Sequence, residues 1–534
     1  MKKTILTVSS FVLLSLWGFG QDQSDKVELT WGQKYIESAR FTLVDIVGND
    51  ETGIYAIKEK RGISTQKTRA VILEHYDHQM NRTKSVELKL DKEGEEKRNF
   101  EFIIHLGEEL YICSSLKDLG VKSYHLYVQR IDKETLLPKN DLKKITETDR
   151  WDGIRYNPNF YNYALSRDSS KVLIYYKLDY EKDSKERIGL KVFDNRMNEL
   201  WELNTTLPYT GELFEAKDYK IDSNGNVYIL GKLYNDKPKE EIRGAPNYKY
   251  QILSYSDEGT KLQQYPIDPE GKFLNGMKIA IKEDQNIICS GFYSLEGNNS
   301  IHGSGFIRIN SKTKSIEEKK FAEFGIDFLT QNMSDGKEKR TKKKKENDRD
   351  VALYAYKLDG IILKDDGGAT LIGEQRSDFS NFRYSTNPIG QQTRQTNVKY
   401  TCNDIIVVSL SSNGEIEWAK KIQKKQETID DAAFFSSYSV SVVKDKLHFI
   451  YNDHPKNLNY DGEGRIRNMS VQNESYLVLT TLGRDGILTK EALFSSYDAD
   501  VRARPIVSEQ ISNNEMIVYG QSGRVHRYVR LSFN

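Results

Sequence analysis

The chain has 534 residues but few cysteines, few prolines and no excess of either charge. Three cysteines cannot form a disulfide framework and are expected to be small buried hydrophobic residues, while ten prolines exclude collagen-like chains. Lys and Arg number 79 against 78 for Asp and Glu, which argues against a nucleic-acid-binding protein. Beyond the N-terminus no apolar run approaches the roughly 18 residues of a membrane-spanning helix. The many Tyr (32) and Phe (21) favour a large β-rich protein.

Residues 1–20 have the three parts of a secretory signal peptide. A positive start at Lys2 and Lys3 precedes an apolar stretch that ends at Trp17, and Gly20 closes a small-residue cleavage motif. No cysteine follows this motif, so a lipid anchor is not expected. The sequence therefore predicts cleavage after residue 20 and a periplasmic or secreted protein. A buried N-terminal helix is the less favoured interpretation.

The strongest pattern is a repeated unit of four β-rich runs. In residues 214–268 the runs FEAKDYKIDSNG, NVYILGKLY, YKYQILSYSDEG and TKLQQYPID mostly alternate apolar and polar residues, and turn residues such as Asn-Gly close the hairpins. Similar units begin at Phe41, Phe100, Tyr161, Met277, Leu353 and Phe434. An eighth unit, from Ala503 onward, has three runs only.

One further strand, Val27 to Ile36, precedes the first unit and resembles the fourth run of complete units. Trp31 matches Trp201 and Trp418 of those runs. Because a radial array of sheets must hide its edge strands, we expect this strand to complete the last unit. The sequence predicts an all-β fold: a single β-propeller domain over residues 21–534, with eight blades of four antiparallel strands. Seven blades is the alternative, and a β-helix is disfavoured because the repeats are long and rich in hairpin turns.

Long insertions fall between second and third strands or between blades, at 232–248, 325–350, 374–399 and 452–474. In a propeller such segments emerge on one face, and long loops in compact domains are often functional. This face is the expected working surface. Surface decoration without a function is an equally weighted interpretation.

The runs LKDDGGATLIGEQRSD (363–378) and NDIIVVSLSSNGEIEWAKKI (403–422) resemble the repeats of secreted bacterial β-propellers, including quinoprotein-type and outer-membrane-assembly propellers. The resemblance implies the propeller fold, an exported protein in the style of the Bacteroidetes, and a Trp that docks neighbouring blades. A quinoprotein cofactor would also imply vicinal cysteines, which the sequence lacks. No cofactor is therefore expected.

Sequence motifs of catalysis or metal binding, such as HExxH and GxSxG, are absent, so neither catalytic residues nor a metal site is assigned. His75 and His78 lie three apart in HYDH and point to opposite faces of a strand. Carboxylates for glycan cleavage would have to come from different blades. Asp45, Asp359 and Glu509 lie on predicted first strands, which line the channel, although scattered solvated acids are the favoured interpretation.

Candidate ligand-binding residues come from two of the insertions, because aromatic and Arg side chains dominate interaction hot spots. They are Arg376, Phe379, Phe382, Arg383, Tyr384, Asp453, His454 and Tyr460. A mobile polar loop is the other interpretation of both insertions. The basic run KEKRTKKKKENDRD at 337–350 predicts a disordered solvated loop rather than a contact with an anionic polymer.

Taken together, the sequence favours a non-catalytic exported β-propeller that binds an envelope protein or a polysaccharide through its loop-rich face. Nucleic acid is not an expected partner, and the protein is expected to be a monomer without a transmembrane segment. The alternative is a glycan-active hydrolase or lyase with acidic residues at the channel mouth.

Overall fold

A computed structural model describes residues 27–61, 68–93, 96–118, 120–149, 160–179, 181, 184–347, 349–386, 392–460 and 466–534. The predicted signal peptide lies outside these residues. Eight antiparallel sheets with four main strand positions follow one another along the chain, and the strands of each are hydrogen-bonded in up-and-down order. The protein is an eight-bladed β-propeller, as the sequence predicts.

The blades are numbered in chain order, and their strands run from the central channel outward. Blade 1 contains Phe41–Asp50, Gly53–Arg61, Thr68–Tyr76 and Arg82–Glu87, and blade 2 contains Asn99–Leu106, Glu109–Asp118, Ser123–Ile131 and Lys143–Thr148. Blade 3 contains Tyr161–Leu165, Lys171–Lys177, Lys185–Asp194 and Glu199–Thr210. Blade 4 contains Phe214–Ile221, Val227–Tyr234, Tyr248–Ser256 and Lys261–Ile267. Blade 5 contains Phe273–Ile281, Ile287–Ser294, Gly303–Asn310 and Ser315–Glu323. Blade 6 contains Tyr356–Leu363, Ala369–Thr386, Gln392–Leu410 and Ile416–Ile422. Blade 7 contains Ser439–Val443, Lys446–Asp453, Tyr476–Leu482 and Leu488–Ser495. Blade 8 contains Arg502–Ala503 with Glu509–Gln510, then Glu515–Ser522, Val525–Phe533, and Val27–Trp31 with Tyr35–Ile36.

The connections contain short elements. Paired two-residue strands are Lys92–Glu93 with Glu96–Lys97, Glu241–Ile242 with Ala245–Pro246, and Ser300–Ile301 with Leu353–Tyr354. Strand Glu427–Ile429 joins the sheet of blade 6. The helices are α1 (Ile326–Thr330), α2 (Asp335–Glu346) and the 3₁₀ turns Pro455–Asn457 and Pro505–Val507. None of the helices in the described ranges is long and apolar enough to cross a membrane.

Each blade buries both of its faces, because a hydrophobic cluster fills the space on either side. Between blades 3 and 4, for example, Leu190 packs with Ile221 and Ile229. Eight such clusters follow the ring, and the one between blades 8 and 1 joins Tyr519 to Ile54. This continuous series excludes the seven-bladed alternative.

The N-terminal strand closes the ring as predicted. Val27–Trp31 pairs antiparallel with the C-terminal strand Val525–Phe533 and so becomes the outermost strand of blade 8. The Trp31 ring meets Phe494 of blade 7 at 4.7 Å between centroids, and the Arg527 guanidinium lies 4.2 Å from the Trp31 ring centre. Backbone pairing and aromatic packing therefore hold the two chain ends together.

The other two matched tryptophans dock successive blades. Trp201 of blade 3 donates its indole N–H to the Gly225 carbonyl of blade 4 at 3.2 Å, and Trp418 of blade 6 donates to the Arg484 carbonyl of blade 7 at 2.8 Å. Gly486 sits against the Trp418 ring with φ +75°, and a Cβ there would lie 3.2 Å from the ring. The docking role expected for these tryptophans agrees with their contacts.

The insertion at 374–399 was expected to be a loop, and that prediction is wrong for most of it. Ala369–Thr386 and Gln392–Leu410, the middle strands of blade 6, pair with each other from Ala369 to Thr386 without an intervening loop. Both extend well past the other strands of the blade. Residues 387–391 lie outside the described chain.

The basic run was expected to be disordered, but helix α2 contains most of it. Its first turn carries Asp335 and Glu338 and its last turn carries three lysines, which is the charge order that a helix dipole favours. Lys342 also pairs with Glu338 one turn away at 2.7 Å. The prediction of disorder is wrong because composition ignores the order of the charges along the chain.

A buried ionic cluster fastens the N-terminal segment to blade 1. The Lys58 Nζ lies 3.1 Å from Glu37 and 2.9 Å from Glu74, and Arg82 pairs with both carboxylates. Beside them His526 is buried, and this burial, followed by the charge of Lys58, lowers its pKa to about 4. Burial by itself would raise the pKa of Glu37, but the neighbouring charges of Lys58 and Arg82 have the larger effect and lower the Glu37 pKa below its usual value.

We expect acid to weaken this closure. The unfolded His526 would bind its proton near pH 6.5 but the folded one only near 4, so the unfolded state binds more protons between these values. The free energy of unfolding should therefore fall as the pH decreases from 6.5 to 4, and Glu37 adds a loss in the same direction below 4.5. Thermal unfolding at pH 7 and at pH 4.5 measures the change.

His526→Gln should lose less stability than the wild type over this interval. His78→Gln, at an exposed turn of blade 1, is the matched control and should show the wild-type loss. An H526Q variant with the full wild-type pH dependence contradicts the assignment.

Candidate functional site

The loop face carries a long projection from blade 6, which we call the arm (residues 377–386 and 392–401). The inner strand of blade 6 pairs with its neighbour only as far as Tyr356 opposite Gln375. Pairing within the arm continues from Ser377 opposite Thr401 to Thr386 opposite Gln392. At about 3.3 Å per residue, ten residues reach about 33 Å past the blade.

The base of the arm is three-stranded, because Glu427–Ile429 pairs with residues 399–401. Phe379 lies opposite Lys399, and Lys399 lies opposite Ile429. Directly opposed residues in antiparallel strands point to the same face, so these three side chains form one row. Phe379 is 62% exposed and Ile429 is 63% exposed, which makes the row an apolar surface around one lysine.

The base of the arm also contacts the insertion of blade 7. The Glu427 N–H donates to Asn468 Oδ1 at 2.8 Å, and the Met469 N–H donates to the Lys425 carbonyl at 2.9 Å. The two insertions that hold the predicted binding residues therefore form one continuous strip.

The predicted residues of the first insertion have different surroundings. Arg376 pairs with Asp359 and lies 3.3 Å from Glu374, so it anchors the base of the arm. Phe379 projects from the arm. Phe382, Arg383 and Tyr384 lie in its first strand, and their side chains are outside the described structure.

In the second insertion, Asp453 is fully buried, accepts from Asn457 Nδ2 at 2.7 Å and lies 2.7 Å from Lys490 Nζ. His454 begins the 3₁₀ turn and accepts from the Lys456 N–H at 3.0 Å. Tyr460 lines a cavity between blades 6 and 7. Asp453 and His454 shape this insertion, and Tyr460 faces the space beside it.

The inner strands bring Asp45 of blade 1 and Glu509 of blade 8 to the central channel. Both residues are exposed, yet the surrounding protein replaces part of their water and raises the pKa of each carboxyl, and the charge of Asp45 raises that of Glu509 further. Burial, followed by the charge of Asp45, raises the pKa of Tyr163 on blade 3 to about 12. Groups with such shifts from several blades are typical of functional clefts.

The third acid, Asp359, belongs to a separate cluster. Tyr438 donates its hydroxyl to Asp359 at 2.8 Å, and burial raises the Asp359 pKa although Arg376 opposes the rise. Beneath it, Lys424 lies 2.6 Å from Glu374, and both side chains are fully buried. Sequence reasoning missed Glu374, Lys424 and Tyr438. The one available signal was the carboxylate in the apolar run ATLIGE.

The two histidines of HYDH have separate partners. His75 contacts the hydroxyls of Thr52 and Thr83, and His78 Nε2 contacts the Glu51 carbonyl at 2.8 Å. Across the described ranges, no three His, Cys, Asp or Glu side chains are grouped as metal ligands. The three cysteines are free and buried, in agreement with the sequence-based expectation.

No known family matches the chain, and no curated protein matches it. Among solved structures, the chain is similar to the WD40 domain of SCAP from fission yeast at 7% identity, covering 95% of this chain and 94% of that one with a TM-score of 0.40. It is similar to polysaccharide lyase Uly1 at 8% identity, 95% and 99% coverage and a TM-score of 0.39. It is also similar to the β-propeller domain of the Trilobed protease from Pyrococcus furiosus at 11% identity, covering 86% of this chain and 96% of that one with a TM-score of 0.34. These likenesses assign no activity, and the propeller class rests on the eight sheets and their closure.

Proposed function

We propose that the protein is a non-catalytic binding or scaffold module of the cell envelope, which holds an envelope protein or polysaccharide with its loop-rich face. The arm is the observation that supports this function. Its two strands extend past the other strands of blade 6 and pair with each other, and its base presents Phe379 and the neighbouring Ile429 to solvent. Exposed apolar and aromatic groups on a projecting polar surface are typical of recognition sites.

We further propose that residues 1–20 are a cleaved signal peptide and that the mature monomer acts in the periplasm or outside the cell. The three-part N-terminal pattern supports export. Membership of the secreted bacterial propellers stays a proposal based on the repeats at 363–378 and 403–422. Such a protein would meet envelope proteins and polysaccharides as its neighbours.

Shortening the arm tests the binding role. Replacing residues 378–400 with Asn-Gly joins Ser377 to Thr401, which already pair directly, through a favoured two-residue turn. We expect an unfolding temperature within a few degrees of the wild type, because the eight interblade clusters stay intact. Binding to the protein and polysaccharide fractions of the envelope, measured by co-sedimentation, should fall at least tenfold, since hot-spot residues are lost.

The double variant Phe379→Ser/Ile429→Ser should weaken binding in the same way without removing backbone. Ile487→Ser is the matched control, because Ile487 is 64% exposed in a turn between third and fourth strands, away from the arm. Wild-type binding by both the shortened arm and the double variant argues against the proposal.

The shared channel position of Asp45 and Glu509 favours a second candidate function, a glycan hydrolase or lyase. Two carboxylates with raised pKa values are suited to acid–base steps on a sugar. Incubating the protein with the polysaccharide fraction of the envelope also distinguishes the two functions. Release of shortened polysaccharide by the wild type, but not by Asp45→Asn or Glu509→Gln, supports the enzyme and contradicts a non-catalytic module.

A further inference from the structure

Helix α2 (Asp335–Glu346) concentrates positive charge in a chain that has no overall excess of it. Seven of its twelve residues are Lys or Arg and three are Asp or Glu, against 79 and 78 in the whole chain. None of its residues is buried, and its sequence DGKEKRTKKKKE contains no aromatic or hydrophobic residue. The helix belongs to the insertion between blades 5 and 6, so it emerges on the loop-rich face. Core packing therefore does not explain why this charge is held in a helix.

Two ion pairs fix which side of α2 faces the propeller. Lys342 Nζ lies 3.4 Å from Asp327 of α1, and Lys345 pairs with Glu323 at the end of the outer strand of blade 5. Since successive residues of a helix are rotated by about 100°, these two lysines lie about 60° apart on one side. Residues on the opposite side therefore point away from the propeller.

Five further cations lie on the side that points away from the propeller, and we call this set the basic face. They are Lys337, Lys339, Arg340, Lys343 and Lys344, and all five are exposed. The same rotation places them within about 160° of the helix circumference, and cations three or four residues apart are separated by about 5 Å along the axis. Among the described residues, which leave out residue 348, none of the five has a carboxylate within ion-pair distance. The basic face is therefore an array of closely spaced cations that no described carboxylate neutralises.

The helix holds these cations together although they repel one another. Lys339 and Lys343 are one turn apart, as are Arg340 and Lys344, and like charges in this relation destabilise a helix. A disordered run would let the same charges separate, whereas the helix keeps them on one face. An anionic polymer that lies along this face would remove the repulsion and would be attracted by all five charges at once.

We propose that the basic face of α2 binds an acidic polysaccharide, a polymer with carboxylate or sulfate groups on its repeating sugars. Lys and Arg donors form strong hydrogen bonds to such anionic oxygens. The face has no aromatic residue to anchor a protein partner or to stack on nucleic-acid bases, and no hydrophobic residue to enter a lipid bilayer. This inference rests on the proposed binding role of the loop-rich face, and it adds the chemical class of the polysaccharide.

Titration calorimetry on the mature protein tests the inference with dextran sulfate, polygalacturonate and uncharged dextran. At least one of the two charged polymers should bind at least tenfold more tightly than dextran, and the polymer that binds identifies sulfate or carboxylate as the recognised group. Because binding displaces counterions, this affinity should fall at least tenfold between about 50 and 200 mM NaCl. An affinity that does not depend on salt contradicts electrostatic recognition by this face.

The triple variant Lys339→Gln/Arg340→Gln/Lys343→Gln should weaken binding of the charged polymer at least tenfold. Gln supports a helix about as well as Lys and Arg do, so the fold should be retained. The unfolding temperature should equal that of the wild type or rise slightly, since repulsion between like charges is removed.

The matched control is the triple variant Lys312→Gln/Lys444→Gln/Lys446→Gln. These exposed lysines lie in hairpins that close on the face opposite the loops, so the variant removes the same charge away from α2. It should bind the charged polymer as the wild type does. Equal losses in the two triple variants would indicate a response to net charge alone and would overturn the proposal.

Wild-type binding by the α2 variant, equal binding of dextran, or binding of neither charged polymer also overturns the proposal. So does tighter binding of duplex DNA or of phosphatidylglycerol vesicles, which would assign the face to a nucleic acid or a membrane. The shortened arm separates this inference from the proposed function. If envelope binding depends on the arm but no charged polymer binds, the inference about the basic face is wrong and the binding role of the arm stands. If charged-polymer binding depends on α2 but envelope binding does not depend on the arm, the role of the arm is wrong and the basic face stands.

Discussion

Replacing Val27 with Asp is expected to open the ring and to lower the free energy of unfolding by about 4 kcal/mol. Val27 is fully buried and packs in the cluster between blades 7 and 8. An aspartate there would have to lose its water without a cation to pair with, or leave the cluster and take the closing strand with it. Denaturant unfolding followed by circular dichroism measures the loss.

Glu28→Lys is the matched control, because Glu28 points out of the same strand into solvent and should change stability by less than about 0.5 kcal/mol. Release of the closing strand also exposes the edge of Val525–Phe533, and exposed edges associate. Val27→Asp should therefore form oligomers on size-exclusion chromatography as its concentration rises. A monomeric variant with wild-type stability would contradict the role of the N-terminal strand.

The second large effect is expected at the buried pair of blade 6. Glu374→Ala would leave the Lys424 ammonium, 2.6 Å from the carboxylate and fully buried, without its counter-ion. Breaking a buried pair from one side costs about 3–5 kcal/mol, because the remaining charge keeps its desolvation penalty. Lys424 would retain the Cys402 carbonyl at 2.6 Å, which does not neutralise it.

The double variant Glu374→Leu/Lys424→Met separates this penalty from the loss of shape. Removing both charges should cost less than Glu374→Ala alone, since apolar side chains of similar volume often replace buried pairs with little loss. Glu147→Ala, which breaks the exposed pair with Lys144, should cost less than about 1 kcal/mol. If the double variant instead loses more stability than Glu374→Ala alone, the two buried charges do not depend on each other.

The fold was predictable because its signals are local. Alternating apolar residues mark the strands of the blades, turn residues such as Asn-Gly and Asp-Gly close several of the hairpins, and the unpaired segment with Trp31 indicated where the ring closes. The arm gave no such signal. Its run SDFSNFRYST extends past the other strands of the blade, so it lacks the apolar alternation of a half-buried strand and looks like a loop.

The candidate site was less predictable because its residues are close in space but far apart in the sequence. Glu374 lies in a middle strand of blade 6, and Lys424 lies fifty residues later in the connection after the outermost strand. Asp45 and Glu509 lie near opposite ends of the sequence. The acids could be assigned to inner strands, but which of them share a space depends on where the ring closes.

The joining of the first and last strands also constrains the order of events during synthesis. The ribosome makes Val27–Trp31 at the start, but its partner Val525–Phe533 emerges about five hundred residues later. Until then the early strand has no sheet to join, and the last blade cannot exist. A nascent chain that stalls before Val525–Phe533 has emerged should therefore expose an unpaired early strand and an open edge of the ring at the same time, and both favour association with other chains.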